Sequence, residues 1–133
     1  MLTLVEKDRI GLVSDILYEL MKCKILVNSL NVEVILGKAV IFLTLSDPER
    51  GRIALKDAGY DVLDPRSTLI ILKRRTEDLL SVTDMLAKIG VSVQKVRTLA
   101  ESGEKHLVCI LSDNPKKIAG LLKGSVVAAV SLD

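Results

Sequence analysis

Aromatic side chains are scarce in this chain: they make up 2% of its 133 residues, with a single Phe and no Trp. The hydrophobic fraction is nevertheless 49%, so the core has to be built from Val, Ile and Leu. An RNA-recognition sheet stacks bases on exposed aromatic side chains, and this chain has almost none to offer. Its formal net charge is only +2, which gives no broad basic surface for a phosphate backbone. We therefore expect no nucleic-acid partner.

Groups that carry chemistry are equally scarce. The two cysteines, Cys23 and Cys109, are far apart and outside any C-x-x-C pair, which favours reduced thiols over a metal or redox site. A ferredoxin-like metal carrier needs that pair in its first loop, where this chain has D-R-I-G. The only imidazole, His106, lies on a predicted strand without a triad motif, and no glycine-rich phosphate loop is present. We expect no catalytic residue, no metal, no cofactor and no enzymatic activity.

Long apolar runs are absent as well. No stretch approaches the ~18 uncharged apolar residues of a membrane-spanning helix. The N-terminal segment M-L-T-L-V-E-K-D lacks the basic and apolar regions of a secretory signal. These features predict a soluble, cytoplasmic protein with no membrane partner.

What the sequence does contain is a repeat of about half its length. The segment K-I-L-V-N, which begins at Lys24, and the segment that begins with G-V-S-V at Gly90 each follow an apolar helical pattern, and they lie 66 positions apart. Self-similarity at a fixed offset indicates repeated structural units. Two repeats, residues 1–66 and 67–133, account for the entire sequence and predict two small domains.

The order of elements follows from the apolar pattern. Leu12, Ile16 and Leu20 recur at four-residue spacing and predict an amphipathic helix after a short first strand, with Asp8 placed to cap it. Two apolar segments on either side of a glycine-containing turn then predict a hairpin. Asp47-Pro48-Glu49 has the residues typical of a helix start, and a last strand is predicted at 60–63. The second repeat repeats this order at 68–72, 78–89, 91–99, 105–111, 115–122 and 126–132.

This order predicts the fold class. A βαββαβ unit with right-handed crossovers forms an antiparallel sheet with both helices on one face, so we predict an α+β protein of two ferredoxin-like βαββαβ units. Residues 40–43 and 69–72 are apolar at successive positions, which predicts burial of both sheet faces there. Another copy of the unit, in this chain or in a second one, has to cover the face without helices. We therefore expect a homodimer or a higher homo-oligomer.

One loop offers a binding site through its chemistry alone. Residues 7–12, K-D-R-I-G-L, connect the first predicted strand to the first helix, and the N–H groups and partial positive charge of a helix start suit a carboxylate. Gly11 allows close approach to the backbone, and Asp8 can receive an ammonium group, so a zwitterionic amino acid fits. The alternative is that Asp8 is only a cap and Gly11 only a turn residue. The residues by themselves leave both interpretations open.

The segment E-K-D-R-I-G-L-V-S-D-I-L, followed by K-I-L-V-N-S-L and by S-D-P-E-R, resembles the ACT domain family. The segment R-R-T-E-D-L-L-S-V-T-D-M-L-A-K-I-G-V-S-V resembles a divergent second copy. Together they cover nearly the whole chain, which implies two ACT units with no enzyme attached. In that family amino acids bind between two ACT units, held by the first loop of one and the second strand of the other. Carried over by position, the resemblance implies a ligand site formed by Asp8, Arg9, Ile10, Gly11 and Leu12, with Ser92 and Val93 from the opposing repeat.

The two repeats depart from the family pattern at different places. Ile10 stands where Pro is usual, and Leu26 stands where the strand Asn is usual. In the second repeat Glu77 stands where Gly is usual and Asp78 adds another carboxylate, which disfavours amino-acid binding there. We expect Gly11→Val to abolish binding with little loss of fold, because Gly11 lies at a helix start.

The resemblance implies a non-catalytic regulatory or sensor module that binds a small ligand, an amino acid, and acts through a homo-oligomer. An enzyme that it regulates is a candidate partner. The alternative is a structural or adaptor protein that uses the ACT surface only for oligomerisation or for binding a partner enzyme.

Overall fold

The computed structural model describes residues 1–122 and 126–129. The chain divides into two compact units, with unit 1 ending at Leu63 and unit 2 beginning at Asp64. No helix in the described residues is both long and apolar enough to cross a membrane.

Unit 1 contains three strands and two helices in the predicted order. They are β1 (Leu2–Lys7), α1 (Leu12–Lys22), β2 (Val27–Ile35), β3 (Lys38–Leu45) and α2 (Pro48–Asp57). The strands form an antiparallel sheet in the order β1-β3-β2.

The last strand predicted for unit 1, at residues 60–63, is reduced to an isolated bridge between Leu4 and Val62. Two main-chain groups in this segment have other partners. The Asp61 N–H donates to the Glu6 carboxylate at 2.8 Å, and the Val62 N–H donates to the Tyr60 carbonyl at 3.1 Å. The segment makes two hydrogen bonds with β1, from the Val5 N–H to the Asp61 carbonyl at 3.2 Å and from the Leu63 N–H to the Thr3 carbonyl at 2.9 Å. Because the Asp61 N–H is not available to β1, the ladder does not extend beyond them, and the prediction of a full strand is wrong.

Unit 2 contains the complete set of elements. They are β4 (Ser67–Leu72), α3 (Arg75–Lys88), β5 (Val93–Ser102), β6 (Lys105–Ser112), α4 (Pro115–Leu121) and β7 (Val126–Ala129). The four strands form an antiparallel sheet in the order β5-β6-β4-β7. Residues 130–132 of the last predicted strand lie outside the described residues. The α+β class is confirmed, with βαββαβ-like units in which the last strand of unit 1 is reduced to a bridge.

Two of the helices begin where the sequence predicts them. The Asp47 carboxylate accepts a hydrogen bond from the Arg50 N–H at 3.2 Å at the start of α2, and the Asn114 side chain accepts one from the Lys117 N–H at 3.2 Å at the start of α4. Both caps are followed by a Pro at the first helical position, where a missing N–H costs nothing. Short local patterns of this kind determine a helix start without help from the rest of the fold.

Each unit packs its two helices against one face of its sheet. In unit 1 the fully buried core residues include Leu4, Ile16, Leu20, Ile41 and Leu55. In unit 2 they include Ile70, Leu86, Val108, Ile110 and Ile118. Each such side chain contributes about 1.5–3 kcal/mol when it leaves water. These contacts fix α1 and α3, and therefore the loops that precede them, against the sheets.

The two strands that were expected to be buried on both faces, β3 and β4, have successive residues that are fully buried. Val40 and Ile41 of β3 are both 0% exposed, as are Leu69 and Ile70 of β4. Successive residues of a strand point to opposite faces, so neither face is open at these positions. The homo-oligomer stays a prediction.

Candidate functional site

The predicted binding loop ends at Gly11, the residue that precedes the first turn of α1. Gly11 has a φ of 86°, a conformation that glycine adopts without strain. No side chain accepts a hydrogen bond from the first turn of the helix. The prediction that Asp8 caps α1 is therefore wrong, because Gly11 and not Asp8 occupies the cap position. The Leu12 N–H donates to the Arg9 carbonyl at 3.4 Å, and no side chain accepts a hydrogen bond from the N–H groups that follow it in the first turn.

Arg9 places its guanidinium group over this helix start. Its Nη2 donates to Asp15 Oδ2 at 2.7 Å, and its Nη1 donates to the Ile10 carbonyl at 3.4 Å. Nη1 also lies 3.8 Å from the point that a Cβ on Gly11 would occupy. The Arg9 and Asp15 side chains are 45% and 56% exposed, so their ion pair contributes only about 0–1 kcal/mol. A ligand carboxylate can therefore replace Asp15 as the partner of Arg9.

Tyr60 belongs to the same neighbourhood, although it is not among the residues predicted from the sequence. Burial raises the pKa of Tyr60, the negative charge of Asp15 raises it further, and the positive charge of Arg9 lowers it. The phenol is therefore within electrostatic range of both groups and keeps its proton at neutral pH. The predicted topology could have indicated this position of Tyr60. Tyr60 begins the segment that runs antiparallel to β1, so it lies beside the end of β1, where the loop starts.

The remaining loop residues have contrasting environments. Asp8 is exposed, and Ile10 is completely exposed at 101%. Leu12 is only 4% exposed and packs in the core of unit 1, so its side chain anchors α1 and is not available to a ligand. Asp15 is a further residue not predicted from the sequence, and its N–H donates to the Gly11 carbonyl at 3.0 Å, which places it one turn into the helix.

Ser92 and Val93 lie in unit 2, at the start of β5. The Ser92 N–H donates to the Asp113 carboxylate at 2.9 Å, and the Ser92 carbonyl accepts from the Asp113 N–H at 3.2 Å. Val93 packs against the core of unit 2. The main-chain groups of Ser92 are thus occupied, and its hydroxyl is the group it can offer a ligand. That these residues complete a site with the first loop of an opposing unit stays a prediction.

The corresponding loop of unit 2 is closed by its own carboxylate. Asp78 Oδ2 accepts hydrogen bonds from the Lys73 N–H at 3.2 Å and the Arg74 N–H at 2.9 Å, and Oδ1 accepts one from Arg74 Nε at 3.2 Å. The sequence pattern assigns the obstruction first to Glu77, which is exposed, whereas the structure assigns it to Asp78. A ligand carboxylate would have to displace Asp78 from these donors, so unit 2 lacks the open arrangement of unit 1.

Because the Asp78 carboxylate holds this loop closed, we expect Asp78→Asn to lose stability to an extent that depends on pH. The hydrogen bond from the Arg74 N–H, followed by the charge of Arg74, lowers the pKa of Asp78. A carboxyl with a lowered pKa in the folded state stabilises the fold above its unfolded pKa of about 3.9, and this stabilisation disappears as pH falls through the folded pKa. We expect the variant to unfold at lower urea concentration than the wild type near neutral pH and at the same concentration in strong acid.

The control for this experiment is Asp84→Asn on the same helix, because Asp84 is exposed and its side chain has no hydrogen bond within the described residues. Urea midpoints measured at several pH values should show no pH-dependent gap between this control and the wild type. An equal gap for both variants would mean that Asp78 does not hold the loop.

The loop of unit 1 offers charged and hydrogen-bonding groups that can bind a small ligand. It combines the Arg9 cation, the Asp8 and Asp15 carboxylates, the Tyr60 hydroxyl and the N–H groups that open α1. Among the described residues, no group of three His, Cys, Asp or Glu side chains could hold a metal ion. Two charges of opposite sign on one loop suit a small zwitterion.

Comparison with known proteins finds weak structural likenesses. No protein-family model and no curated protein matches the chain. A protein from Bacteroides thetaiotaomicron is 21% identical, with 98% of this chain and 92% of that chain covered, at a TM-score of 0.46. An unknown protein from Galdieria sulphuraria is 16% identical, with 92% and 87% covered, at 0.41. The ligand-free regulatory subunit of aspartate kinase from Thermus thermophilus is 12% identical, with 92% and 91% covered, at 0.40.

Proposed function

We propose that this chain is a non-catalytic regulatory or sensor module that binds a free amino acid at the loop between β1 and α1. The observation that carries the proposal is the position of the Arg9 guanidinium, 3.8 Å from the vacant Cβ point of Gly11, at a helix start that no side chain caps. Cation and helix N–H groups converge on one exposed point, which is what a carboxylate requires.

In the proposed binding mode each group of the loop contacts one part of the ligand. The ligand carboxylate accepts hydrogen bonds from the first N–H groups of α1 and from Arg9, in place of Asp15. The ligand ammonium group then donates to Asp8 or to the released Asp15. The Ile10 side chain, which is completely exposed, provides apolar contact for the ligand side chain, and Tyr60 provides a hydroxyl.

The proposal includes the organisation that the sequence resemblance implies. The two repeats, residues 1–66 and 67–133, are ACT-like units, and only the first keeps an open loop. Ser92 and Val93 of an opposing repeat complete the ligand site. The protein acts as a homo-oligomer, and the ligand changes how it engages a partner enzyme.

A thermal-unfolding panel tests the proposal. The ligand-free protein is melted in the presence of each of the twenty amino acids, and at least one should raise the melting temperature by several degrees. A ligand at a hundred times its dissociation constant adds about 2.7 kcal/mol of stability. The same panel run as amino-acid amides, which lack the carboxylate, should produce no shift.

A panel with no response would reject the sensor and leave the structural or adaptor role as the better account. A shift that persists with the amides would show that the carboxylate is not the recognised group, and the assignment of Arg9 and the start of α1 would be wrong.

A further inference from the structure

Glu6 lies on the helix-bearing face of unit 1, beside the segment that begins at Tyr60. In β1 it follows Leu2 and Leu4 at two-residue spacing, and both leucines belong to the core under the helices. Side chains two positions apart in a strand point to the same face. The Asp61 N–H donates to Glu6 Oε1 at 2.8 Å. Within the described residues this carboxylate forms no ion pair, so its charge has no counter-ion.

Two further carboxylates lie on one face of α1. Asp15 and Glu19 are four positions apart, which places their side chains next to each other on a helix. Glu19 already has a counter-ion, because Lys22 Nζ lies 2.9 Å from its Oε2. The counter-ion of Asp15 is Arg9, whose Nη2 lies 2.7 Å from Asp15 Oδ2. In the proposed binding mode the ligand carboxylate takes Arg9, so Asp15 becomes a second carboxylate without a counter-ion.

The carboxylates lie within electrostatic range of one phenol, that of Tyr60. Burial raises the pKa of Tyr60, the negative charge of Asp15 raises it further, and the positive charge of Arg9 lowers it. The negative charges of Glu19 and Glu6 also raise it. A zwitterion adds one charge of each sign and leaves this excess of negative charge in place, whereas a ligand with one more positive charge offsets part of it.

We propose that the amino acid bound by unit 1 is a basic one, with an amine or a guanidinium group at the end of an aliphatic side chain. Its carboxylate contacts Arg9 and the start of α1. Its α-ammonium group donates to Asp8, which is exposed and whose side chain has no partner within the described residues. The cation of its side chain lies between Asp15 and Glu6, where the Tyr60 hydroxyl oxygen accepts a hydrogen bond from it.

Other classes of amino acid fit this charge distribution less well. An acidic side chain would bring another carboxylate to the group, and like charges repel. An apolar side chain contacts Ile10, which is completely exposed, but leaves Asp15 and Glu6 without a counter-ion. A basic side chain meets both requirements, because its methylene groups cover apolar surface while its charged end stays with polar groups.

The ligand class rests on the proposed function, because it concerns the ligand of the same loop. Its test compares lysine with norleucine, which has the same unbranched four-carbon side chain without the terminal ammonium group. If norleucine binds and lysine binds no tighter, the sensor stands and the ligand class is wrong. If no amino acid binds, the proposed function itself fails.

Isothermal titration calorimetry on the full chain at neutral pH measures both dissociation constants. We expect lysine to bind about ten-fold tighter than norleucine, as one charge-assisted hydrogen bond provides. Arginine should likewise bind tighter than its uncharged analogue citrulline. Glu6→Gln keeps an acceptor for the Asp61 N–H and removes the charge, so the preference for lysine over norleucine should fall about two- to five-fold.

The matched control is Glu33→Gln on β2. Glu33 is exposed and lies on the opposite face of the same sheet, because its partner Val40 is also the partner of Val5. This variant should keep the full preference for lysine. Circular dichroism checks that both variants are folded. An unchanged preference in Glu6→Gln, or an equal loss in Glu33→Gln, would overturn the assignment of the cation to Asp15 and Glu6.

Discussion

Replacing Gly51 by Ala is expected to destabilise unit 1 by about 1–3 kcal/mol, although Ala is the better helix former by about 1 kcal/mol. Gly51 lies in α2, where a Cβ would overlap Leu45 Cδ1, with Leu2 and Leu20 at 3.7 Å. All three leucines are buried in the core of unit 1. The added methyl group has to push a packed side chain out of its rotamer, and that strain exceeds the gain in helix propensity.

The matched control is Gly120→Ala in α4, because Gly120 is also helical and has nothing within 4 Å of its Cβ point. Without a clash, only the helix propensity remains, and this variant should gain up to about 1 kcal/mol. Urea unfolding of both variants measures the difference. If Gly51→Ala were as stable as Gly120→Ala, Leu45 would move without cost and the close approach of α2 to the sheet would not be a constraint.

Replacing Gly11 by Ala is expected to remove the amino-acid-induced shift of about 2.7 kcal/mol. The new methyl group occupies the point 3.8 Å from Arg9 Nη1, where the ligand carboxylate is proposed to lie. The positive φ of 86° also costs an L-residue about 1–2 kcal/mol. For this reason the expectation that Gly11→Val leaves the fold nearly intact is wrong, since a β-branched residue is least tolerated at positive φ.

The control for this loss of stability is Gly103→Ala in the turn between β5 and β6, where φ is 61° and nothing lies within 4 Å of the Cβ point. It tests whether backbone strain by itself affects ligand binding. We expect Gly103→Ala to melt at a lower temperature than the wild type and to keep the full ligand-induced shift. A shift that survives in Gly11→Ala would place the ligand elsewhere.

Local sequence patterns predict much of this fold. Asp47 and Asn114 cap their helices as expected, because a cap is a contact between residues three positions apart. The start of α3 differs from the prediction: the helix begins at Arg75 and not at 78, since Asp78 folds back onto residues 73 and 74 from within the first turn. The bridge at Val62 replaces a full strand because Glu6, which is distant in sequence, binds the Asp61 N–H.

The candidate site is also predicted only in part, because some of its residues are brought together by the fold from distant positions in the sequence. The loop from Asp8 to Leu12 is a contiguous segment, so its charged residues and its glycine can be identified directly from the sequence. Tyr60 reaches the loop only through the fold, because the segment after α2 returns beside β1. The division of roles within the loop also requires the structure, since the burial of Leu12 and the exposure of Ile10 depend on how α1 packs on the sheet.

The most direct test of the sensor account is an amide-resolved NMR titration of the ligand-free protein with the amino acid that gives the largest thermal shift. We expect saturable shifts of the amide signals of Gly11, Leu12 and Val13 and of the Arg9 side-chain Nε–H, with unperturbed signals for Lys73 and Arg74 in the closed loop of unit 2. Shifts confined to Lys73 and Arg74, or none at the start of α1 while the protein is stabilised, would contradict it.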